Sequence, residues 1–391
     1  MKKQKIKNID KAANKIKKAI KDGERIILYG DSDMDGVTST VILEEAIKNL
    51  GGHIDCVMFP DRESDGYGLN LKALRKIDGK HPALMILMDQ GIGNIKEIDL
   101  ANKMGFEVII IDHHEPLKGL PEASVIVDPK QKSDSYPFKG LANVGIVFNL
   151  CLELLGDSKK HLISQNLKNS FLELAALGTI ADRVPQIEQN QDIIEEGLRS
   201  LRNTFRPALR AFLDILGDGK VFEEYLSQII AALNSAESVD FNNDSYTLLT
   251  SSDQQKCREL AQKLLDKNKH KQTVVNNIVK EIERRIQKEE LKGKSQNIIF
   301  EGDPSWKLVL AGSAASIICE KYQKPAFIFK KMDNESCGSV RNPLGTNSVE
   351  AMKECSDILI TYGGHANASG FRIKNEHLDE FKECLNKYFK K

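Results

Sequence analysis

The sequence contains no CxxC pair. Its seven cysteines, Cys56, Cys151, Cys257, Cys319, Cys337, Cys355 and Cys384, are scattered along the chain. That spacing argues against a zinc site and a disulfide framework, and it fits a reducing, cytoplasmic setting. There is no run of about 18 apolar residues and no apolar h-region at the N-terminus, which speaks against a membrane span and against export. A charge excess is lacking too, because 56 Lys and Arg balance 56 Asp and Glu. A nucleic-acid partner would therefore need a local basic patch. The Lys-rich start (Lys2, Lys3, Lys5, Lys7) reads as a solvated helix face rather than a nucleic-acid arm.

The chain does have 391 residues, 41% hydrophobic and 29% charged, an ordinary globular balance with enough material for two domains. Short apolar runs alternate with helical patterns in the first half. Strands are expected at 25–30, 54–59, 83–88 and 108–111, and helices at 38–50, 71–76 and 95–103. Such alternation predicts βαβ units and a mostly parallel sheet flanked by helices. After Pro185 the pattern is mainly helical, and 253–290, nearly free of Gly and Pro, predicts one or two helices joining two domains. Strands return at 298–300, 308–310 and 326–329, as expected of a smaller C-terminal α/β domain. The predicted organisation is thus a catalytic domain over 1–190, a helical region with a long connecting helix over 191–290, and a second α/β domain over 291–391.

The acidic residues carry the strongest signal. In a parallel α/β sheet, ligands gather at the carboxyl ends of the strands. Here the first strand runs into Asp31-Ser32-Asp33-Met34-Asp35-Gly36, another ends in Asp89, a third in Asp112-His113-His114, and a later helical stretch delivers Asp182. Each segment alone has a plain explanation. D-x-D-x-D-G resembles a calcium loop, although Ile42 stands where that loop needs Glu, and a strand precedes it. Asp-His-His could cap a strand, and Asp182 could be a turn residue. Together they are hard to explain structurally, because converging carboxylates repel and are costly to desolvate unless cations neutralise them. Oxygen ligands with an imidazole suit Mn²⁺ or Mg²⁺, and this many carboxylates could hold two ions for phosphoryl displacement.

These residues also carry a family resemblance. GDSDMDGVTST (30–40), Asp89, the DHH triplet (112–114) and GTIAD ending at Asp182 resemble the four-motif signature of the DHH phosphoesterase superfamily. FPDRESDGYGLN (59–70), DHHEP (112–116), YPFKGLANVG (136–145) and ALGTIADRVP (176–185) resemble the RecJ single-strand-specific exonucleases. GGHANASG (363–370) is similar to the glycine-histidine motif of the DHH-associated substrate-binding domain. The resemblance implies a metal-dependent exonuclease on single-stranded nucleic acid, DNA with 5′ to 3′ polarity, using two divalent cations, Mn²⁺ in preference to Mg²⁺. It implies Asp31, Asp33, Asp35, Asp89, His113 and Asp182 as metal ligands, His114 as general acid and Asp112 as the residue orienting the histidines. It implies Arg62 and Tyr67 along the nucleic-acid path, Ser339 and Arg341 at a substrate phosphate, and Gly363, Gly364 and His365 close to phosphates. Replication or repair proteins would be the partners. Where other superfamily members have a histidine ligand, this chain has Tyr29, which favours the arrangement relying on Asp31.

The sequence departs from the family twice. The arginine-containing stretch of the middle region corresponds to AALNSAES (231–238), which keeps Asn234 but has no arginine, and this bears on recognition of a terminal phosphate. No OB-type domain follows the glycine-histidine motif, which points to shorter substrates or lower processivity. Two alternatives therefore stand beside the exonuclease: a phosphodiesterase of short oligonucleotides or cyclic dinucleotides, and a non-catalytic replication scaffold.

Overall fold

A computed structural model describes residues 4–79, 82–116, 119–156, 164–217, 222–291 and 297–390. The chain divides into two compact units, Met1–Asn268 and Lys269–Lys391, with the border inside one long helix. In the first unit the order is α1 (Ile9–Asp22), β1 (Arg25–Gly30), α2 (Met34–Asn49), β2 (Ile54–Met58), α3 (Leu71–Lys76), β3 (Ala83–Met88), α4 (Ile95–Lys103), β4 (Phe106–Ile111), β5 (Val125–Val127), α5 (Asn143–Leu155), α6 (Gln165–Asp182), α7 (Glu188–Leu201), α8 (Pro207–Leu216), α9 (Phe222–Leu233), the short pair β6 (Ser238–Val239) and β7 (Asn242–Asn243), and α10 (Asp244–Thr250). The helix α11 (Gln254–Glu290) is continuous over 37 residues.

The expected parallel sheet is present, with five strands in the order β2-β1-β3-β4-β5, all parallel. Alternate residues of its strands feed two cores, as a pleat of period two requires. Ile26, Leu28, Leu84, Ile86, Met88, Ile109 and Ile111 pack under α1, α2, α5 and α6. Ile27, Tyr29, Met85, Leu87, Val108 and Ile110 pack under α3 and α4. The helical stretch after Pro185 joins the first of these cores through Leu201, Leu209, Phe212, Leu248 and Leu264. Strand order reverses between β1 and β3, so the crevice beyond their carboxyl ends is the switch point where α/β sheets hold ligands. The residues that follow those two strands are Asp31 and Asp89.

The second unit continues with β8 (Ile299–Asp303), α12 (Leu308–Tyr322), β9 (Ala326–Lys331), β10 (Glu335–Arg341), α13 (Ser348–Glu354), β11 (Leu359–His365), β12 (Ala368–Lys374) and α14 (Leu378–Tyr388). Its mixed sheet has the order β11-β12-β10-β9-β8, and only β8 and β9 are parallel. Phe300, Phe327, Phe329, Phe371 and Phe381 fill one of its two cores. Two sequence expectations are corrected here. The run 308–310, expected as a strand, opens α12: three apolar residues fit either period, and the small and apolar residues that follow carry the helix on to Tyr322. Cys355 and Cys384 form a disulfide, against the expectation of none. The fold brings the end of α13 beside α14 at a Cα–Cα distance of 6.2 Å, a pairing that a separation of 29 residues does not announce. Among the described residues no helix is long and apolar enough to cross a membrane.

Candidate functional site

The turn between β1 and α2 begins the site. Asp33 is the N-cap of α2, with its Oδ1 accepting the Gly36 N–H at 3.1 Å. Gly36 is required by space, since a Cβ there would lie 2.4 Å from the Asp31 carbonyl oxygen. Asp35, in the first helical turn, is buried, and its two oxygens accept the N–H groups of Asn143 (2.8 Å) and Val144 (2.7 Å) at the start of α5. These bonds fix a carboxylate at a helix N-terminus, where negative charge is favoured. Two residues from the helical region brace the same turn. Asn234 Oδ1 accepts the Met34 N–H at 3.0 Å, and Asn243 Nδ2 donates to the Ser32 carbonyl at 3.3 Å.

Asp89 follows β3 with φ of 62°, a left-handed conformation that aspartate tolerates better than most residues. Its N–H still pairs with the Ile111 carbonyl at 3.0 Å, so the strand ends on it. Beyond β4, Asp112 is buried and hydrogen-bonded through both oxygens. Its Oδ2 accepts the Ile92 N–H, and its Oδ1 accepts the N–H groups of His113 and His114 and lies 2.8 Å from His114 Nδ1. His113 Nδ1 donates to the Leu141 carbonyl at 3.1 Å, which leaves the Nε2 lone pair facing the carboxylates. That atom is 3.1 Å from Asp89 Oδ1, 3.7 Å from Asp182 Oδ2 and 3.9 Å from Asp35 Oδ2. Asp182 is the last residue of α6, and its buried Oδ2 makes no hydrogen bond.

These atoms form two overlapping groups. Asp35, Asp89 and His113 offer ligand atoms within 4.8 Å of one another, and so do Asp31, Asp33 and Asp89. Asp89 belongs to both. A third group, Asp89 with Asp112 and His114, meets the same limit. In that group Asp112 Oδ1 is engaged by the backbone N–H groups of both histidines and lies against the His114 ring, an arrangement suited to orienting the histidines.

The electrostatics fit cation binding. Burial, and then the neighbouring carboxylates, push Asp35 and Asp89 well above the usual carboxylate range. Asp182 is pushed up to about 6 by burial and by Asp33. Asp31 is raised by burial despite Arg62, whereas on Asp33 burial is overcome by Arg62 together with the Gly36 N–H and Asp89, and its pKa is lowered. Burial opposes the charged form of His114, but the Asp112 carboxylate prevails and raises its pKa. The donor set of carboxylate oxygens and one imidazole, crowded and costly when charged, suits Mn²⁺ or Mg²⁺.

Several residues are placed differently from a simple substrate path. Arg62 turns into the cluster, where its Nε and Nη2 donate to Asp31 and its Nη2 donates to Asp33 at 2.9 Å. Tyr67, half exposed, donates its hydroxyl to the Asp89 carbonyl at 2.7 Å and lies 3.2 Å from His114 Nδ1. Tyr29 serves as a support. Its hydroxyl donates to the Gly68 carbonyl (3.3 Å) and accepts from Asn70 (3.2 Å), fixing the end of the loop that carries Arg62 and Tyr67. Tyr29→Phe is expected to cost about 1 kcal/mol in urea unfolding, the worth of a buried hydrogen bond, with Mn²⁺ uptake unchanged.

Asp128 was missed. It follows β5, is buried, and is pushed up to about 7 by burial and by Asp112. The run Val125-Ile126-Val127 ending in Asp repeats the strand-end signature that pointed to the other acids.

In the second unit the expected substrate residues fall on neighbouring strands. Ser339 pairs with Gly370, which pairs with Gly363, while Arg341 pairs with Ala368, which pairs with His365. Ser339 and Arg341, two apart on β10, share a face. Gly364 has φ of 123°, and a Cβ there would meet the Ala368 carbonyl oxygen at 2.7 Å, so this position requires glycine.

The model of the DHH family, N-terminal domain, matches residues 25–179, and that of the DHHA1 domain matches 295–391. The single-stranded-DNA-specific exonuclease RecJ of Bacillus subtilis (strain 168) is 36% identical over 387 residues, which are 97% of this chain and 48% of that protein. RecJ of Escherichia coli (strain K12) is 30% identical over 406 residues, 97% of this chain and 69% of that protein. The chain therefore spans between about half and two thirds of the length of these relatives. A crystal structure of exonuclease RecJ bound to manganese superposes with a TM-score of 0.76 at 26% identity, covering 100% of this chain and 96% of that one. RecJ of Thermus thermophilus in complex with Mn²⁺ also gives 0.76 at 26% identity, covering 99% of this chain and 55% of that one.

Proposed function

Since the chain belongs to the RecJ family of DHH phosphoesterases, we propose that it is a metal-dependent exonuclease that hydrolyses single-stranded DNA from the 5′ end. The observation that carries this is the sharing of Asp89 by two ligand groups. Asp35, Asp89 and His113, with Asp182 beside them, would hold one divalent cation, and Asp31, Asp33 and Asp89 the other. When bound, two such ions supply the charge that neutralises these carboxylates and the phosphoryl oxygens, and they acidify water enough for it to attack.

The chain's own residues do the rest. Asp112 fixes the His114 ring and, against the opposing effect of burial, favours its protonated form, the form that can donate to the leaving oxygen. Tyr67 steadies both His114 and the Asp89 backbone, and its exposed ring offers a stacking face to an unpaired base. Ser339, Arg341, Gly363, Gly364 and His365 would bind the substrate's phosphates, with backbone N–H groups close to them where no side chain intervenes. Replication or repair would be the setting. His114→Ala is expected to lower the turnover rate about 10²- to 10⁴-fold while the number of Mn²⁺ ions bound stays that of the unaltered protein. A parallel loss of metal would instead make His114 a ligand.

Substrate length has a second reading. Glu237 stands in the segment where the family resemblance implies arginine, and it pairs with Lys267 at 2.9 Å; with no arginine in 231–238 to hold a terminal phosphate, turnover of short oligonucleotides is the second reading. Digestion of end-labelled single strands, duplexes and dinucleotides with Mn²⁺ tests both readings. Release of mononucleotides from the 5′ end of single strands alone supports the exonuclease. Faster turnover of dinucleotides supports the short-substrate reading. Equal cleavage of single strands and duplexes, or no cleavage of any substrate, would sink the proposal.

A further inference from the structure

The two ligand groups that share Asp89 differ in what already neutralises them. Asp35 is held by the backbone N–H groups of Asn143 and Val144, and His113 Nδ1 by the Leu141 carbonyl. Around Asp31 and Asp33 a cation is already present. Asp31 Oδ1 accepts Arg62 Nε at 3.0 Å and the Ser32 N–H at 2.7 Å, and its Oδ2 accepts Arg62 Nη2. The same Nη2 reaches Asp33 Oδ2 at 2.9 Å, while Asp33 Oδ1 is engaged by Gly36. The guanidinium thus uses both oxygens of Asp31 and one of Asp33, the atoms a second metal ion would need.

We propose that Arg62 is a resident counter-cation that closes the Asp31–Asp33–Asp89 group until a second divalent ion displaces it, and that the displaced guanidinium then becomes available to a substrate phosphate. This rests on the metal-dependent reading of the site. A divalent ion takes carboxylate oxygens at about 2.0–2.2 Å and a guanidinium nitrogen at about 2.7–2.9 Å, so the two compete for the same lone pairs.

The loop is built for such an exchange. Its ends are pinned, with the Phe59 N–H on the Phe241 carbonyl (3.0 Å), the Leu69 N–H on Asn94 Oδ1 (3.1 Å) and the Gly68 carbonyl on Tyr29. The Arg62 side chain between them is 40% exposed and can swing off the carboxylates without undoing any of these three bonds. Two consequences follow. The group containing His113 fills first, and the guarded group fills at higher ion concentration. A phosphate that captures Arg62 strengthens the second ion, and by linkage the second ion strengthens phosphate binding.

The test is a Mn²⁺ titration without nucleic acid, in which electron paramagnetic resonance counts the free aqueous ion, on the unaltered protein, Arg62→Gln and Arg62→Lys. The unaltered protein is expected to show two classes of site. In Arg62→Gln the weaker class should tighten about tenfold, the worth of one charge-assisted contact, and the tighter class should change much less. Arg62→Lys, which keeps the charge and loses the fork, should fall between, and it reads the same competition if the glutamine variant is unstable. Unchanged weaker sites in both variants, or equal weakening of both classes, would overturn the proposal while leaving the metal-dependent reading intact. An unaltered protein that binds no Mn²⁺ would overturn both.

Discussion

Replacing Asp89 with asparagine is expected to lower the exonuclease rate by on the order of 10³-fold, since a shared ligand worth several kcal/mol is lost from both ion groups. The same change should raise the melting temperature of the metal-free protein. Asp89 is almost completely buried, and burial together with Asp35, Asp33 and Asp31 holds its carboxyl well above the usual range. A folded-state pKa above the unfolded value means that the folded protein resists ionisation of this group, so the charged form costs stability at neutral pH. Asparagine keeps the shape and removes that charge. Function and metal-free stability therefore move in opposite directions, which a merely structural aspartate would not produce. Melting curves in EDTA and initial rates in Mn²⁺ check the pair, and an asparagine variant that is both less stable and fully active would refute the assignment.

The second large effect is a reversal of pH dependence by metal. Asp182, at about 6 in the folded protein against about 3.9 unfolded, binds a proton in the native state over a window where the unfolded chain has released it. Asp35 and Asp89 are raised in the same direction. Stability contributed by these protonated carboxyls is complete below about pH 4 and is lost as pH rises through the folded values, from about pH 4 past pH 6. Asp33 and Asp112, which are lowered, act oppositely, but their loss of stability lies on the acid side, below the ordinary carboxylate value. In EDTA the melting temperature should accordingly fall between pH 5 and pH 7.5. With saturating Mn²⁺ it should rise over the same interval, because the ions bind ionised carboxylates and release their protons. Parallel curves with and without metal would mean that the carboxylates do not form the ion site.

Much of the first unit was legible because its central strands, β1, β3 and β4, are buried on both faces. The runs at 83–88 and 108–111 read as continuous apolar segments, and each ends in the acid that the sheet delivers to its crevice. Asp182 was legible as a helix end. The three-residue β5 was too short to stand out, and Asp128 was overlooked with it. The run at 308–310 was misread because three apolar residues fit either period. The disulfide between Cys355 and Cys384 was invisible because only the packing of α13 against α14 sets the distance between them. Arg62 was found as a residue, but its partners were not. Nothing in FPDRESDGYGLN tells that its guanidinium folds back 31 positions onto Asp31. The bracing by Asn234 and Asn243 across some 200 positions depends in the same way on tertiary structure.

Two ions sharing Asp89 are tested most directly by anomalous difference density from crystals of the chain grown with Mn²⁺. Two peaks about 3.5–4 Å apart are predicted, one against Asp35, Asp89, His113 and Asp182 and the other against Asp31, Asp33 and Asp89, with the Arg62 side chain withdrawn from the second. A single peak at saturating Mn²⁺, or peaks that do not touch Asp89, would contradict it.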